Sequence, residues 1–228
     1  MMASTRIEWT EVTWNPVTGC TKISEGCRNC YAERMALRLQ AMGQVNYRDG
    51  FEVRCHEGVV GYPLLWKKPR MIFVNSMSDL FHEDVPGEFI REIFRVMTVA
   101  KQHTFQVLTK RSDILAEMAG ELEWPENVWM GVTVESADYV HRIDDLKSVP
   151  SFVKFISMEP LISGIPEVDL SGIDWVIAGG ESGPGARKMN PLWVKDIRDQ
   201  CTKQKISFFF KQWGGVNKLM SCNSTFSS

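Results

Sequence analysis

The sequence predicts an α/β protein built as a partial (β/α) barrel of about six to seven parallel strands. Three observations support this fold class. Short runs that are apolar at nearly every position recur along the chain, as expected for parallel strands buried on both faces. Amphipathic helical patterns lie between these runs, which indicates right-handed βαβ units. Each apolar run ends in polar or charged residues, and the carboxyl ends of the strands form the active-site face of α/β barrels.

The first strand is predicted within the segment "IEWTEVTWNP" at 7–16. Six further strands are predicted from runs rich in β-branched and aromatic residues. A wound open sheet would satisfy the same alternation, and the polar strand ends favour the barrel. The six runs lie at 70–79, 103–113, 127–136, 151–160, 174–183 and 206–215.

The predicted helices carry recognisable start signals. Pro86 suits the first turn of one helix, since its missing amide proton is not needed there. Asn190 is expected to cap the last helix, with Pro191 at the first helical position. Residues 43–70 interrupt the alternation and are interpreted as an inserted connection with a short hairpin after the first helix. Besides the helix that follows the cysteines, four helices are predicted at 86–102, 111–120, 135–148 and 190–205.

The polar strand ends form the first candidate site. Solvent exposure would explain polar residues at one or two strand ends, but three successive strands end in Glu135, Glu159 and Glu181. A ring of functional groups is therefore predicted at the carboxyl edge of the sheet. The residues at these ends are Ser76 and Asp79, Thr109, Lys110 and Arg111, Thr133 and Glu135, Ser157 and Glu159, Glu181 and Ser182, and Lys211 and Gln212.

The second candidate site is a cysteine loop at 18–31, directly before a predicted helix. Its cysteines, Cys20, Cys27 and Cys30, follow the spacing Cys-x6-Cys-x2-Cys. Three thiolates leave one coordination position open, and an iron–sulfur cluster held by three cysteines has one iron free for another ligand. The helix dipole would stabilise thiolates at the helix start. We therefore expect these cysteines to bind a metal centre.

Other interpretations of the cysteines stay open. A structural zinc site would need a fourth ligand, for which "VRCHEG" offers Cys55 or His56. A redox pair of Cys27 and Cys30 would leave Cys20 without a role. Cys201, on the last predicted helix, is expected to be a simple buried cysteine.

The residues around the cysteines resemble a known superfamily. A three-cysteine loop after the first strand of a barrel resembles the radical S-adenosylmethionine (SAM) enzymes, and "GCRNCYAERMA" is similar to the photoproduct-lyase-like branch. The usual first gap there is three residues, whereas this chain has six. The resemblance implies a radical SAM-like fold, a [4Fe–4S] cluster held by Cys20, Cys27 and Cys30, and S-adenosylmethionine as cofactor.

A longer resemblance covers residues 6 to 217. The segments "WNPVTGCTKISEGCRNCYAERMA", "VNSMSDLFH", "FQVLTKR", "SMEPLI", "VIAGGESGPGAR" and "FFFKQWGG" resemble an uncharacterised family of phage and prophage proteins with a three-cysteine motif. Members usually continue with a further polar segment after "QWGG", and this chain departs from them there. The resemblance implies a phage-encoded iron–sulfur protein acting in the bacterial cytoplasm.

Ligand-binding residues follow from both sites. In radical SAM enzymes a Gly-Gly-Glu triplet binds the cofactor's amino group after the second strand; here Gly179, Gly180 and Glu181 follow a late strand, so that role is not transferred directly. A glycine-rich strand-to-helix turn remains the alternative. Lone histidines (His82, His103 and His141) are expected to be surface or loop residues rather than ligands. The cofactor candidates are Ser76, Ser78, Asp79, Glu135, Glu159, Gly179, Gly180 and Glu181, and the substrate candidates are Lys110, Arg111, Arg187, Lys211 and Trp213.

Composition limits the function classes. The 228 residues suit a single domain at 1–217, and the Ser-rich end at 218–228 is expected to be a disordered tail. A net charge of -2 gives no global case for nucleic-acid binding, and no apolar run could span a bilayer. The N-terminus lacks a signal-peptide pattern, which predicts a cytoplasmic protein without a membrane partner.

Two functions are predicted from different classes. The first is a radical SAM-type enzyme that cleaves S-adenosylmethionine reductively and acts on an unidentified substrate, for which a nucleic-acid base is the leading candidate. Such an enzyme would need a reductant or partner protein. The alternative is a zinc-stabilised, non-enzymatic binding module encoded by a phage.

Overall fold

The fold is an open sheet of mostly parallel strands with helices along one face. A computed structural model describes residues 3–4 and 9–215, and the tail expected at 218–228 lies outside the described residues. The strands are β1 (Ala3–Ser4), β2 (Val12–Trp14), β3 (Val17–Thr18), β4 (Arg54–Cys55), β5 (Met71–Val74), β6 (Thr104–Thr109), β7 (Val128–Thr133), β8 (Val153–Met158), β9 (Trp175–Gly179) and β10 (Ser207–Gln212).

The main sheet has the order β1-β2-β5-β6-β7-β8-β9-β10. β1 pairs antiparallel with β2, and every later neighbour pairs in parallel. Seven strands, β2 and β5 to β10, therefore run in one direction. β2 and β10 do not pair with each other in the described sheet, so the sheet is a half-barrel rather than a closed barrel. This confirms the predicted fold class.

Helices lie in most of the crossovers between parallel strands, but none is described between β8 and β9. Asn190 caps the last one as predicted, because its Oδ1 accepts a hydrogen bond of 3.0 Å from the amide of Leu192. None of the described helices is both long and apolar enough to cross a membrane. The helices are α1 (Tyr31–Ala41), α2 (Tyr62–Leu65), α3 (Gly87–Val99), α4 (Ser112–Met118), α5 (His141–Ser148) and α6 (Pro191–Gln204).

Both faces of the sheet are buried, which explains why the strand sequences are apolar at nearly every position. Side chains at alternate positions, such as Ile72, Val107 and Met130, join the core formed with the helices. The intervening positions fill the concave face with a second, mostly aromatic cluster around Trp9. That cluster consists of Trp9, Phe73, Leu108, Trp129, Phe155, Trp175, Ile177 and Phe209.

The insert at 43–70 differs in one respect from expectation. β4 pairs with β3, which precedes the cysteine loop, rather than forming a hairpin within the insert. Val17 lies opposite Cys55, and Phe51 accepts a hydrogen bond of 3.2 Å from the amide of Cys20 through its carbonyl oxygen. A sequence pattern does not show such non-local pairing. As a result, the insert supports the start of the cysteine loop.

Gly131 of β7 tests the packing of the concave face. A Cβ atom at Gly131 would lie 2.5 Å from the ring of Phe155, which itself packs against Trp175 at 5.4 Å between ring centroids. We expect Gly131→Ala to lower the free energy of unfolding by about 1–3 kcal/mol through overpacking. Urea denaturation measures this.

The matched control is Gly120→Ala, since a Cβ atom there meets nothing within 4 Å. That variant should match or slightly exceed the wild-type stability. Equal midpoints for the two variants would contradict the close packing of Gly131 against Phe155.

Candidate functional site

A cavity of about 320 Å³ lies at the carboxyl ends of the strands, between the sheet and the cysteine loop. Its apolar floor includes Phe73 and Leu108 from the concave cluster. Many of the predicted site residues meet here, although they come from six separate segments of the chain. These are Cys20, Cys27, Cys30, Ser76, Ser78, Asp79, Lys110, Arg111, Glu159, Gly180, Glu181 and Lys211.

The remaining predicted residues, Glu135, Gly179, Arg187 and Trp213, are not in the cavity lining. Glu135 is fully buried. Arg187 forms an ion pair with Glu181. Gly179 lies close to Glu159, since a Cβ atom added at Gly179 would lie 2.8 Å from Oε1 of Glu159. The ring of Trp213 packs against Phe210 at 4.6 Å between centroids. These four residues therefore lie behind the residues that line the cavity.

The three loop cysteines are free thiols that face the same cavity. Burial and the charge of Asp79 raise the pKa of Cys20 to about 11, despite the opposing effect of Arg111. Binding of a metal centre would therefore have to release a proton from this thiol.

The described cavity lining contains three cysteines and no histidine. Structural zinc needs four ligands about 2.3 Å away, whereas each cysteine of an iron–sulfur cluster binds its own iron. Within the described residues, no three or more His, Cys, Asp or Glu side chains are arranged to hold one metal ion. Cys55 belongs to β4 and packs against the core, and Nε2 of His56 lies 2.8 Å from Oγ1 of Thr18. Neither is in the lining of the cavity.

Arg111, two residues after β6, holds the first part of the cysteine loop. Its guanidinium contacts Oδ2 of Asp79 at 3.4 Å and Oε2 of Glu83 at 2.6 Å. It also donates to Oγ1 of Thr21 at 2.8 Å and reaches Sγ of Cys20 at 3.5 Å. With an exposed fraction of only 4 %, Arg111 links two carboxylates to the loop rather than facing solvent.

Glu135, two residues after β7, holds the middle of the loop. Its Oε1 accepts a hydrogen bond from Ser24 and lies 3.1 Å from Nζ of Lys110. Its Oε2 accepts a hydrogen bond of 2.7 Å from Nη1 of Arg142. Burial would raise the pKa of Glu135, but Lys110, Ser24 and Arg142 outweigh that effect and lower it. A buried, ionised carboxylate with three donors results.

Glu181, two residues after β9, holds the end of the loop. Its Oε2 accepts hydrogen bonds of 2.9 Å from Asn29 and 3.0 Å from Nε of Arg187, and its Oε1 one of 2.6 Å from Nη2 of Arg187. Burial would raise the pKa of Glu181, but the hydrogen bonds from Arg187 and Asn29 hold it at about 2. Arg34 of α1 reinforces this docking through the carbonyl of Ser182, at 3.1 Å.

The comparison with protein families decides the classification, since a family model matches residues 4–225. The chain belongs to the DUF5131 family. Its members are described as proteins of unknown function. None of the curated proteins compared matches this chain.

Solved structures similar to this DUF5131 chain include those of spore photoproduct lyase. A mutant with dinucleoside spore photoproduct has a TM-score of 0.60 at 10 % identity, over 92 % of this chain and 79 % of the lyase. Another, with bound S-adenosylmethionine and dinucleoside spore photoproduct, has a TM-score of 0.53 at 10 % identity, over 89 % and 64 %. At such identity the likeness establishes the radical SAM-like fold alone.

Two lysines face the cavity of this DUF5131 chain, each paired with a glutamate. Lys110 pairs with Glu135, and Nζ of Lys211 lies 2.8 Å from Oε1 of Glu159. The ammonium group of Lys211 also lies 6.0 Å from the ring centroid of Trp9, a cation–π distance. Both lysine side chains are about one-fifth exposed, at 20 % and 19 %. They are the cationic groups best placed to meet a ligand.

The glycine-rich strand end has a packing role. A Cβ atom on Gly180 would overlap the carbonyl of Trp213, and one on Gly214 would overlap the carbonyl of Glu181. The two segments also exchange hydrogen bonds, since Gly180 donates to Gln212 at 2.9 Å. Close approach of β9 and β10 therefore explains these glycines, and the cofactor role of Gly179, Gly180 and Glu181 stays a prediction.

Besides the three glutamates, three further predicted cofactor residues have partners within the protein. Ser76 donates to Oδ1 of Asn15 at 3.1 Å and Ser78 to the carbonyl of Val17 at 2.8 Å. Oδ1 of Asp79 accepts a hydrogen bond of 2.7 Å from Oγ1 of Thr109. Their cofactor role also stays a prediction.

Asn75 is a site residue that sequence reasoning missed. It follows β5 in the left-handed conformation, with φ 58°, and its Oδ1 accepts a hydrogen bond of 3.2 Å from the amide of Val17. Its Nδ2 has no acceptor among the described residues, and the residue lines the cavity. Its position at a strand end was the available signal. Ser24, Asn29, Arg34 and Arg142 were also missed, because their roles depend on contacts distant in sequence.

The lone histidines are expected in surface or loop positions, and His82 and His103 do lie in loops, although not at the surface. His82 and His103 are buried, each with an exposed fraction of 1 %. Nε2 of His82 lies 2.8 Å from Oγ1 of Thr21, and Nε2 of His103 lies 3.0 Å from the carbonyl oxygen of Pro63. Hydrogen-bond partners allow both imidazoles to be buried.

Glu181→Gln should weaken the docking of the cysteine loop in a pH-dependent way. The pKa of Glu181 lies below its ordinary value of 4.5, so the ionised carboxylate stabilises the folded state fully above about pH 4.5 and loses this effect as the pH falls toward 2. We expect a lower urea midpoint for the variant at neutral pH, and a difference from wild type that shrinks below pH 4.5. Unfolding measured from pH 2 to 7 tests this.

Glu92→Gln is the control, because Glu92 is exposed on α3 and forms no ion pair within the described part of the chain. A stability difference for Glu181→Gln that is constant over the whole pH range would contradict the assigned pairing.

Proposed function

We propose that this DUF5131 chain is a radical SAM-type enzyme that binds a [4Fe–4S] cluster through Cys20, Cys27 and Cys30. The observation that carries the proposal is that these free thiols face one cavity at the carboxyl edge of a radical SAM-like half-barrel. When bound, such a cluster supplies the electron that cleaves S-adenosylmethionine to methionine and a 5′-deoxyadenosyl radical. The electron itself must come from a separate reductant or partner protein.

The cavity wall supplies groups suited to a cofactor and a substrate. Its volume is at the lower end of the range of about 300–1,000 Å³ for small-molecule sites. Phe73 and Leu108 would exclude water beneath the ligand, while Asn75 and Glu159 offer polar contacts to it. Water exclusion matters because it prevents side reactions of a reactive intermediate. Lys110 and Lys211 would then meet an anionic or hydrogen-bonding substrate group.

A nucleic-acid base is the substrate class we propose. Spore photoproduct lyase, which shares the fold, is known in complex with dinucleoside spore photoproduct. In this chain, Lys211 faces a cavity lined by Phe73 and lies 6.0 Å from the ring centroid of Trp9, a combination of cation and aromatic surface that nucleic-acid sites use. The reducing cytoplasm suits free thiols and an iron–sulfur cluster. A phage origin rests on the sequence resemblance alone.

The zinc-stabilised binding module is the second candidate function. Its cysteines are the same, but its fourth ligand, Cys55 or His56, is outside the cavity lining. The described side chains favour the cluster for this reason.

Metal analysis after anaerobic reconstitution tests the metal centre. We expect about four irons per chain with equivalent sulfide, since a [4Fe–4S] cluster contains that number. Cys20→Ser, Cys27→Ser and Cys30→Ser should each lower the iron content, because each removes a ligand. Cys55→Ser is the matched control and should keep it. One zinc per chain, lost in Cys55→Ser, would establish the binding module instead.

Reductive cleavage of S-adenosylmethionine tests the enzyme class. With dithionite as reductant, the reconstituted chain should release 5′-deoxyadenosine, and Cys27→Ser should not, since it lacks a cluster ligand. Cys55→Ser should cleave at the wild-type rate. Chromatography of the quenched reaction measures the product. A fully loaded cluster without cleavage would rule out the enzyme while leaving the metal centre intact.

A further inference from the structure

The gap between the first two cysteines has a structure of its own. Six residues, 21–26, separate Cys20 from Cys27, and side-chain contacts hold both ends of this segment. Thr21 at its start contacts Arg111 at 2.8 Å and Nε2 of His82 at 2.8 Å through its hydroxyl. In the middle, Lys22 and Ile23 are exposed, and Lys22 forms an ion pair with Glu33 at 2.7 Å.

Glu135 holds the other end of the segment. The hydroxyl of Ser24 donates to Oε1 of Glu135 and lies 3.4 Å from Sγ of Cys27. Gly26 packs so closely against Glu135 that a Cβ atom would lie 2.5 Å from its Cγ and Oε1. Glu135 is therefore linked to a loop thiol through one hydroxyl group and contacts the loop backbone directly.

The partners of Glu135 fix its position. Arg142 and Lys110 neutralise it, and its exposed fraction is 0 %. A buried carboxylate held by two cations cannot move with the loop. The position of the carboxylate therefore determines the position of the loop.

We propose that residues 21–26 are a clamp that holds Cys20 and Cys27 in position before the cluster binds, with Glu135 as its positioning residue. This inference rests on the proposed function. It gives the long Cys-x6-Cys gap a purpose, because a shorter loop would have fewer residues to contact both Arg111 and Glu135. Partners that orient metal ligands commonly change metal affinity when they are removed.

Gly26→Ala tests the clamp by filling the contact with Glu135. The chain offers a closely matched control in Gly58. Both glycines are the central residue of a short 3-10 turn, in Glu25–Cys27 and Glu57–Val59, and a Cβ atom at Gly58 meets nothing within 4 Å. Ser24→Ala is the second variant, since it deletes the hydrogen bond to Glu135 without adding volume.

Iron loss to a chelator, the electron paramagnetic resonance spectrum of the reduced cluster and amide exchange of the metal-free chain are measured for all variants. We expect Gly26→Ala and Ser24→Ala to lose iron about tenfold faster than wild type, with a changed spectrum. In the metal-free chain, amides of 21–28 should exchange faster in both. Gly58→Ala should match wild type in all three measurements.

Each outcome separates the two proposals. If wild type takes up iron and the clamp variants match Gly58→Ala, the clamp is refuted and the proposed function stands. If wild type takes up no iron, the proposed function fails and the clamp with it. Should Gly26→Ala not fold, as thermal unfolding would show, Ser24→Ala decides alone.

Discussion

The buried charge of Glu135 is the constraint on which the site depends. Removing a carboxylate from water costs several kcal/mol unless opposite charges and hydrogen bonds compensate. Here Lys110 after β6 and Arg142 in α5 supply the charges, and Ser24 supplies a hydrogen bond. Because each partner comes from a different segment, satisfying one carboxylate fixes two strand ends, a helix and the cysteine loop relative to one another.

The open sheet imposes a second constraint, which is that its concave face must be covered. A half-barrel leaves its concave face uncovered, and apolar strands require that face to be filled. Trp9 and the aromatic residues around it fill the lower part, with Trp9 and Phe73 at 4.8 Å between ring centroids. The cysteine loop covers the upper part, where it meets charged strand ends instead of apolar side chains. The cavity is the space that remains between these two layers.

Local pattern was sufficient to predict the sheet but not the contacts of the site. Strand runs, helix caps and polar strand ends depend on residues that are close in sequence. For this reason β5 to β10 and α3 to α6 lie where the sequence predicts them. The roles of Arg142 and Ser24 depend on Glu135, which is 111 residues away from Ser24. The pairing of β3 with β4 and the burial of His82 are likewise tertiary, so periodicity could not show them.

The strand-end ring was expected to hold ligands, but much of its hydrogen-bonding capacity is used by the protein itself. Glu181 is occupied by Arg187 and Asn29, and Asp79 by Thr109 and Arg111. Lys211 and Glu159 differ, because their pair faces the cavity and both side chains are partly exposed. An ion pair that opens onto a cavity can exchange partners more readily than one enclosed by protein. A ligand would therefore compete most readily for this pair, while the buried carboxylates keep the cysteine loop in place.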